Sequence, residues 1–253
     1  MAQPVLATCG LNEATIPPLT LIKQDSGVDG SFLIAAILGH RLKTSKDHRV
    51  LLIATQHNYT HYSSACLKLT YNLGPSRDSG QLQTLDIGAE LFQNFPEAGP
   101  NLSDLQKRIE EFLQSSPQAT ILIDDLTFFL NLGHTESMLI DFVEAIVTGL
   151  NRPNQAVVIK LNTADLYDVL GANLDDLAAT ELRLERLTSG NFREVDGRLT
   201  VSRVREQEDA LVQTKQRDRQ VLFKVNERNV KVFVPGELGI KNLPLVRYRA
   251  SIE

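Results

Sequence analysis

The sequence contains little cysteine, no long apolar run and no secretory start, and each absence excludes a class of protein. Cys9 and Cys66 are too few for a disulfide framework and lack the spacing of a metal or redox motif, so they predict a reducing compartment. No apolar stretch approaches the ~20 residues that a membrane helix requires. The N-terminal segment MAQPVLATCG lacks the basic start and long apolar centre of a secretory signal. We therefore expect no membrane partner.

The composition is that of an ordinary folded protein, but its charge is unevenly distributed. The 253 residues, 42% hydrophobic and 23% charged, are enough for one large buried core. Residues 203–249 hold 11 basic and 6 acidic side chains, a net charge of +5, whereas the rest of the chain has a net charge of −10. A basic segment is typical of a surface that faces a polyanion, and a solvated surface of mixed charge is the simpler alternative.

Short apolar runs alternate with amphipathic stretches through most of the chain. The runs at 49–55, 82–88, 120–126 and 155–162 predict strands, and the stretches at 57–73, 102–113, 135–150 and 165–179 predict helices. This alternation predicts an α/β fold, in which a mainly parallel sheet is covered by helices on both faces.

The pattern changes towards the C-terminus. Asp196-Gly197 lies between strand-like flanks, and residues 219–236 contain two apolar stretches joined by a four-residue connection near Asn226–Asn229. Both are hairpin signals, so we expect antiparallel hairpins after the parallel core. We interpret residues 1–253 as a single domain, with its core at about 15–205 and a β-rich segment at about 193–253.

Residues 19–32, LTLIKQDSGVDGSF, have the strand–loop–helix layout of a phosphate-binding loop. The working pattern is G-x-x-x-x-G-K-S/T, in which the lysine reaches the terminal phosphates and the hydroxyl holds Mg²⁺. If Gly30 is the second glycine of the pattern, Asp25 replaces the first glycine. Ser31 then replaces the lysine and Phe32 replaces the hydroxyl residue. The loop therefore lacks both the cation and the magnesium ligand.

The acids of this loop also oppose phosphate binding. Gly27 and Gly30 lie in this loop, and a helix N-terminus favours an anion. However, Asp25 and Asp29 would repel a phosphate or occupy the helix N-terminus themselves. We interpret the loop as degenerate and expect no catalytic residue in it.

An acidic pair, Asp124-Asp125, follows the apolar residues TILI. In P-loop nucleotide-binding proteins an acid at the end of a strand helps to hold Mg²⁺. The alternative is that the pair caps the next helix or binds loop amides. Phe128 and Phe129 follow in the stretch LTFFLNL, where a loop should be more polar. Apolar stretches of this kind are typical of interfaces, and the alternative is that both rings pack beneath the next helix.

His57 and His61 are four residues apart on a predicted helix, so they could share one face. The zinc signature H-E-x-x-H has a glutamate after the first histidine, whereas Asn58 stands there and no carboxylate is nearby in the sequence. Tyr59 and Tyr62 surround the pair, so we expect a structural or interface role for it and no metal site.

Three of these segments together resemble the RecA-like family, and more closely a non-catalytic branch of it, the Elongator complex protein 6 family. They are the degenerate loop at 25–32, the strand and helix at 49–73, and TILIDDLTFFLNLG at 120–133. The resemblance covers about residues 15–235, and its most specific part is the histidine–tyrosine cluster with the amphipathic helix that follows it. The loop is diagnostic mainly by the residues that it lacks.

This resemblance implies a RecA-like subunit that is not an enzyme and needs no cofactor. Members of the family assemble with two paralogous subunits, proteins 4 and 5, into a hetero-hexameric ring with two copies of each. The ring belongs to Elongator, which modifies the wobble uridine of certain tRNAs in the cytoplasm, with the nucleus as a second location. The ring binds tRNA, and the chemistry resides in the catalytic core of the complex. The ring also responds to nucleotide, so binding of a nucleotide at an interface between subunits remains an open alternative.

RecA-like rings usually present two loops to a central channel, and here these loops would be about 127–136 and 162–180. The second loop contains four aspartates and no lysine or arginine. Phosphate contacts need cations, so we expect the RNA affinity to come from partner loops or from the basic segment. Arg217 and Arg219 are the candidate RNA contacts in that segment.

Two other functions stay open at this stage. One is an active NTPase with an unconventional loop, which Ser31 and Phe32 disfavour because neither can replace the residue that the pattern requires. The other is a RecA-like adaptor in recombination or signalling, which only the family resemblance disfavours.

Overall fold

Ten strands form one mixed sheet in the computed structural model, which describes residues 3–94, 101–187, 194–205, 214–215 and 218–235. In chain order the strands are β1 (Leu19–Asp25), β2 (Arg49–Ala54), β3 (Leu82–Asp86), β4 (Ala119–Asp124), β5 (Gln155–Thr163), β6 (Thr180–Glu185), β7 (Gly197–Arg205), β8 (Thr214–Lys215), β9 (Arg219–Val225) and β10 (Val230–Phe233).

Helices connect most of these strands. In chain order they are α1 (Gln3–Cys9), α2 (Ser31–Thr44), α3 (Tyr59–Lys68), α4 (Gly74–Asp78), α5 (Ile87–Asn94), α6 (Leu102–Gln114), α7 (Phe128–Asn131), α8 (Glu136–Thr148) and α9 (Asp168–Leu177), with a short 3-10 helix (Asp165–Tyr167) before α9. None of the helices in the described residues is long and apolar enough to cross a membrane.

The sheet has the strand order β10-β9-β7-β6-β1-β5-β4-β2-β3, and β8 pairs with β7 outside this row. Neighbouring strands are parallel from β6 to β3 in this order. The pairs β6–β7, β7–β8, β7–β9 and β9–β10 are antiparallel. The predicted mainly parallel sheet with antiparallel C-terminal strands is confirmed. The carboxyl ends of parallel strands meet at one edge, which is where open α/β sheets bind ligands.

Helices cover both faces of the sheet, as the alternating sequence pattern predicts. One apolar core joins α1, α2 and α3 to one face, and a second core joins α6, α8 and α9 to the other. Successive residues of β2 alternate between the two cores: Val50 and Leu52 belong to the first, and Leu51 and Ile53 to the second. Burial on both sides explains why the central strands have continuous apolar runs.

Local signals account for the ends of several helices. The Thr135 side chain caps α8 by accepting a hydrogen bond from the Met138 N–H. The Asn101 side chain caps α6 by accepting one from the Ser103 N–H. The buried residues of α8, Leu139, Phe142, Val143 and Ile146, follow the helical spacing seen in the sequence.

One of the two hairpin predictions is confirmed and the other is wrong. β9 and β10 form an antiparallel pair, and the Asn226 N–H donates to the Asn229 carbonyl across their connection. Gly197 instead begins β7, which lies between β6 and β9, so Asp196-Gly197 is not a turn between two strands. The Asp196 carboxylate accepts hydrogen bonds from Lys224 Nζ and the Val225 N–H, and this residue therefore anchors β9.

Candidate functional site

The degenerate loop connects the end of β1 to the start of α2, and side chains of this protein bind its amides. The Gly30 N–H donates to Gln24 Oε1 at 2.8 Å. The Ser31 N–H and hydroxyl donate to the two carboxylate oxygens of Asp29, at 2.8 and 2.7 Å. In a working loop, backbone amides of this kind bind phosphate oxygens. Here the Gln24 carboxamide and the Asp29 carboxylate take that place.

The glycines of the loop allow other side chains to approach it closely. Gly27 has a φ of +83°, and a Cβ at this position would lie 1.3 Å from Nη2 of Arg186. A Cβ on Gly30 would lie 2.8 Å from Cδ1 of Leu184. Phe32 points into the core, where its ring centroid is 5.2 Å from that of Phe223. The loop therefore packs against β6, and Phe32 packs against β9.

Asp124, at the end of β4, is fully buried and binds two other fully buried side chains. Its carboxylate forms an ion pair with Lys160 Nζ on β5 and accepts a hydrogen bond from the Tyr62 hydroxyl on α3. Lys160 Nζ also donates to Gln56 Oε1 at 2.7 Å. Burial raises the pKa of Tyr62, and the Asp124 charge raises it further, so the hydroxyl keeps its proton and acts as the donor.

Asp125 is bonded to the segment that follows it. Its carboxylate accepts from the Thr127 hydroxyl and the Phe128 N–H, at 2.7 and 2.8 Å, and from the Asn162 side chain. Burial raises the pKa of Asp125, although these hydrogen bonds and Lys160 oppose the rise. The Gln24 carboxamide donates to Asn162 Oδ1 at 2.7 Å. A chain of hydrogen bonds thus connects the degenerate loop to the acidic pair.

The two histidines lie beside the loop, although only one of them is on the helix. Asn58 caps α3 by accepting from the His61 N–H at 3.0 Å, so the helix begins at Tyr59, two residues later than predicted. The His57 and His61 rings are nevertheless stacked, with centroids 3.9 Å apart and planes 9° apart. Tyr62 meets both rings edge-on.

Asp29 supplies the carboxylate that the sequence around the histidines lacks. Asp29 Oδ1 is 3.8 Å from Nε2 of His57, and one potential ligand atom from each of Asp29, His57 and His61 lies within 4.8 Å of the other two. Burial and the charge of His57 lower the pKa of His61. Burial raises the pKa of Asp29, but the hydrogen bonds from Ser31 and the nearby cationic groups outweigh burial, so its net pKa is lowered. At neutral pH the carboxylate is charged and the His61 imidazole is neutral.

A cavity of about 1,060 Å³ opens beside this cluster. It lies between the loop, the start of α2, α3 and the β9–β10 hairpin, and Asp29, Ser31, His61 and Phe223 line it. The volume is comparable to that of small-molecule sites.

The structure places the other predicted residues as follows. Phe129 is fully buried in the second core, as the packing alternative requires, whereas Phe128 is half-buried. Asp25 accepts from the Thr163 hydroxyl at 2.6 Å. Arg219 is the exposed first residue of β9, and Arg217 lies outside the described residues. The roles predicted for these residues at an interface or on RNA stay predictions.

Sequence reasoning missed three polar residues of this site, Gln24, Lys160 and Asn162, and it named Tyr62 only as a neighbour of the histidines and not as a partner of Asp124. Lys160 had a usable signal, because it interrupts the apolar run of β5 and a lysine buried in a parallel strand needs an anionic partner. The strand order supplies that partner, since β5 lies next to β4.

The chain is similar over most of its length to proteins of one family. No family model matches the chain. Elongator complex protein 6 of Drosophila melanogaster is 36% identical, over 95% of this chain and 100% of that protein. The human protein of the same name is 28% identical, over 86% and 90%, and that of Xenopus tropicalis is 28% identical, over 71% and 76%.

A solved structure supports the fold. The flagellar accessory protein FlaH from Methanocaldococcus jannaschii superposes with a TM-score of 0.63 at 15% identity, over 90% of this chain and 95% of that chain. The RecA-like fold class predicted from the sequence is therefore confirmed. Because the Drosophila relative is 36% identical over nearly the whole of both chains, the chain belongs to the Elongator complex protein 6 family.

Proposed function

We propose that this chain is a non-catalytic RecA-like subunit of Elongator. It assembles with subunits 4 and 5 into a hetero-hexameric ring with two copies of each, and the ring supports tRNA binding and wobble-uridine modification. The modification chemistry belongs to the catalytic core of the complex. The support is the family to which the chain belongs, whose curated members are named as an Elongator protein.

One observation carries the non-catalytic assignment: this protein's own side chains engage the groups that would hold a nucleotide and its metal. Gln24 and Asp29 bind the amides of Gly30 and Ser31. The Lys160 ammonium is paired with Asp124, where an NTPase of this fold would use an acid to hold Mg²⁺. A Mg-nucleotide would have to displace all three contacts, and the loop offers no lysine in return.

The experiment that tests this proposal is a tagged purification of the chain from its native cells at natural abundance. We expect two related RecA-like chains in equal amounts and a complex mass of about six subunits. A lone monomer, or a set of unrelated partners, would mean that this chain shares the fold of the Elongator subunit but not its assembly.

A turnover assay separates this function from the NTPase alternative. The purified chain should hydrolyse ATP no faster than a buffer blank, because it has no lysine to bind the terminal phosphates. Hydrolysis that disappears in the Asp124→Asn variant would establish an enzyme and overturn the non-catalytic assignment.

The RNA contacts have their own test in the assembled ring. Reversing the charge of Arg217 and Arg219 should lower tRNA affinity and flatten its salt dependence, because phosphate contacts release counterions. Reversal of Lys43 and Lys46, which are exposed near the opposite edge of the sheet, gives the same change in net charge and serves as the control. Equal effects of the two double variants on tRNA affinity would show that Arg217 and Arg219 are not specific RNA contacts.

Phe128 is the candidate interface residue that still has an accessible surface. Phe128→Ser should weaken ring assembly, whereas the Phe92→Ser control removes a ring that is 87% exposed on α5. Weaker assembly in the control alone would place the interface at α5 instead.

In the same proposal, residues 1–253 form a single domain that works in the cytoplasm, with the nucleus as a second location.

A further inference from the structure

We infer that Asp29, His57 and His61 bind one divalent ion of the zinc class, at the junction between the degenerate loop and the start of α3. The three side chains converge from two segments that are far apart in sequence, and their potential ligand atoms lie within 4.8 Å of one another. This site goes beyond the proposed function, because neither ring membership nor tRNA binding requires a metal ion.

The ligand set selects the class of metal. Two imidazole nitrogens and one carboxylate oxygen suit Zn²⁺ and its first-row neighbours, whereas Mg²⁺ and Ca²⁺ prefer oxygen ligands alone. Three protein ligands leave one position of a tetrahedral ion open. Asp29 and His61 also line the cavity of about 1,060 Å³, so the open position would face a space large enough for water or another ligand.

A separate observation points to a missing ligand. Nε2 of His57 is shielded from solvent and has no hydrogen-bond partner among the described residues, and Asp29 Oδ1 at 3.8 Å is too distant to be one. Buried polar atoms are normally paired, and an unpaired one destabilises the fold. An ion bound to Nε2 would satisfy this atom.

The neighbouring side chains orient the three ligands and leave room for their ligand atoms to move closer together. Tyr62 contacts both imidazole rings edge-on, and the Asn58 cap positions the first turn of α3. Ligand atoms around tetrahedral zinc are roughly 3.3 Å apart for bonds of about 2 Å, so the ligand atoms must close by up to about 1.5 Å. Asp29 can do this because its side chain is 57% exposed. The stacked imidazole rings must also tilt apart, because the lone pair of each nitrogen lies in its ring plane.

Neither Ser31 nor Lys160 prevents binding at this site. Asp29 accepts two hydrogen bonds from Ser31, and a carboxylate has about four acceptor positions, so it can bind an ion and keep both bonds. The ammonium of Lys160 is paired with Asp124, and this pairing offsets its repulsion of an incoming cation.

Metal titration of the full chain tests the site. Chain stripped with a chelator is titrated with Zn²⁺ against a chromophoric competitor, and then with Co²⁺, whose visible absorption reports tetrahedral ligands. We expect one equivalent to bind. His57→Asn, His61→Asn and Asp29→Asn should each weaken Zn²⁺ binding by at least about 100-fold, because even partners outside the ligand shell are worth about 10–100-fold. Asp25→Asn in the same loop and His40→Asn on α2 are the matched controls and should leave the affinity unchanged.

Histidine NMR keeps the test decisive if a variant folds poorly. In the wild-type chain, Zn²⁺ should shift the ring nitrogens of His57 and His61 and leave those of His40 and His48 in place. The inference is overturned if no stoichiometric Zn²⁺ binds at micromolar concentration, if all three ligand variants bind like the wild type, or if millimolar Mg²⁺ displaces the ion.

Discussion

Asp124 and Asp29 lie at the same edge of the sheet, but the chain compensates their charges differently. Asp124 is fully buried, and Lys160 and Tyr62 bind its carboxylate. The Asp29 side chain is 57% exposed and has Ser31 and two histidines as neighbours. The buried acid has an internal cation, whereas the exposed acid has neighbours that could share an external one.

Desolvation explains the difference. A buried charge without a partner costs several kcal/mol, so a stable fold must supply a counter-charge within the chain. Water compensates an exposed carboxylate, so Asp29 needs no such partner in the isolated chain. Burial and the pairing with Lys160 therefore make Asp124 unavailable to a metal ion. Exposure leaves Asp29 accessible to one.

Removal of the internal cation should have the largest effect. Lys160→Met leaves the Asp124 charge buried and unpaired, so we expect the free energy of unfolding in urea to fall by about 3–5 kcal/mol. Combining it with Asp124→Asn removes that charge and should restore at least half of the loss. A double variant as unstable as the sum of the single variants would show that the two residues do not compensate each other.

The pH dependence of stability extends the comparison to a buried group that stays neutral. His48 is buried beside Thr120, and burial, together with the charge of Arg41, lowers its pKa from 6.5 to about 4. Between these values the unfolded chain binds a proton that the folded chain does not. The contribution of His48 is therefore complete above pH 6.5 and falls as the pH drops towards about 4, by at most about 3 kcal/mol.

Urea unfolding at several pH values checks this dependence. His48→Gln should flatten the fall between pH 6.5 and about 4. Parallel pH curves for His48→Gln and the wild type would mean that other groups cause the acid sensitivity.

A smaller effect is expected from the hydroxyl that supports Asp124. Tyr62→Phe removes a hydrogen bond to a buried carboxylate, which should cost about 2 kcal/mol of unfolding free energy. Tyr59→Phe, three residues earlier, keeps the ring beneath Arg77 and should cost less than about 0.5 kcal/mol. Equal losses in the two variants would argue that the Tyr62 hydroxyl contributes little to the network.

The exposed acid should contribute least to stability. Asp29→Ala removes the acceptor for Ser31 at the start of α2, so we expect a loss of about 1 kcal/mol. Asp29→Asn keeps one acceptor oxygen for the Ser31 N–H and should cost less, although it loses the second acceptor and the favourable interaction of the charge with the helix dipole. A loss in Asp29→Ala as large as that in Lys160→Met would contradict the distinction between the two acids.

Local patterns were sufficient for most of the strands, the longer helices and the degenerate loop, but not for β6, β8 or the short helices α1, α4, α5 and α7. The apolar runs predicted β2, β4 and β5 to within one or two residues, because a strand buried on both faces must be apolar throughout. The loop was recognisable because residues 25–32 lack the lysine and hydroxyl of the working pattern. The hairpin near Asn226–Asn229 was also predictable, since its connection and its strands adjoin in the chain.

The remaining features depend on contacts between distant segments. Asp196-Gly197 has the composition of a turn, but Lys224 and the Val225 N–H on β9 bind the Asp196 carboxylate. Lys160 meets Asp124 because β5 lies beside β4, and Asp29 meets His57 because the loop after β1 lies beside the start of α3. The sequence by itself determined most of the elements and the lost phosphate chemistry. Only the tertiary structure decided which charges are paired, because that pairing follows from strand order and burial, which no local pattern encodes.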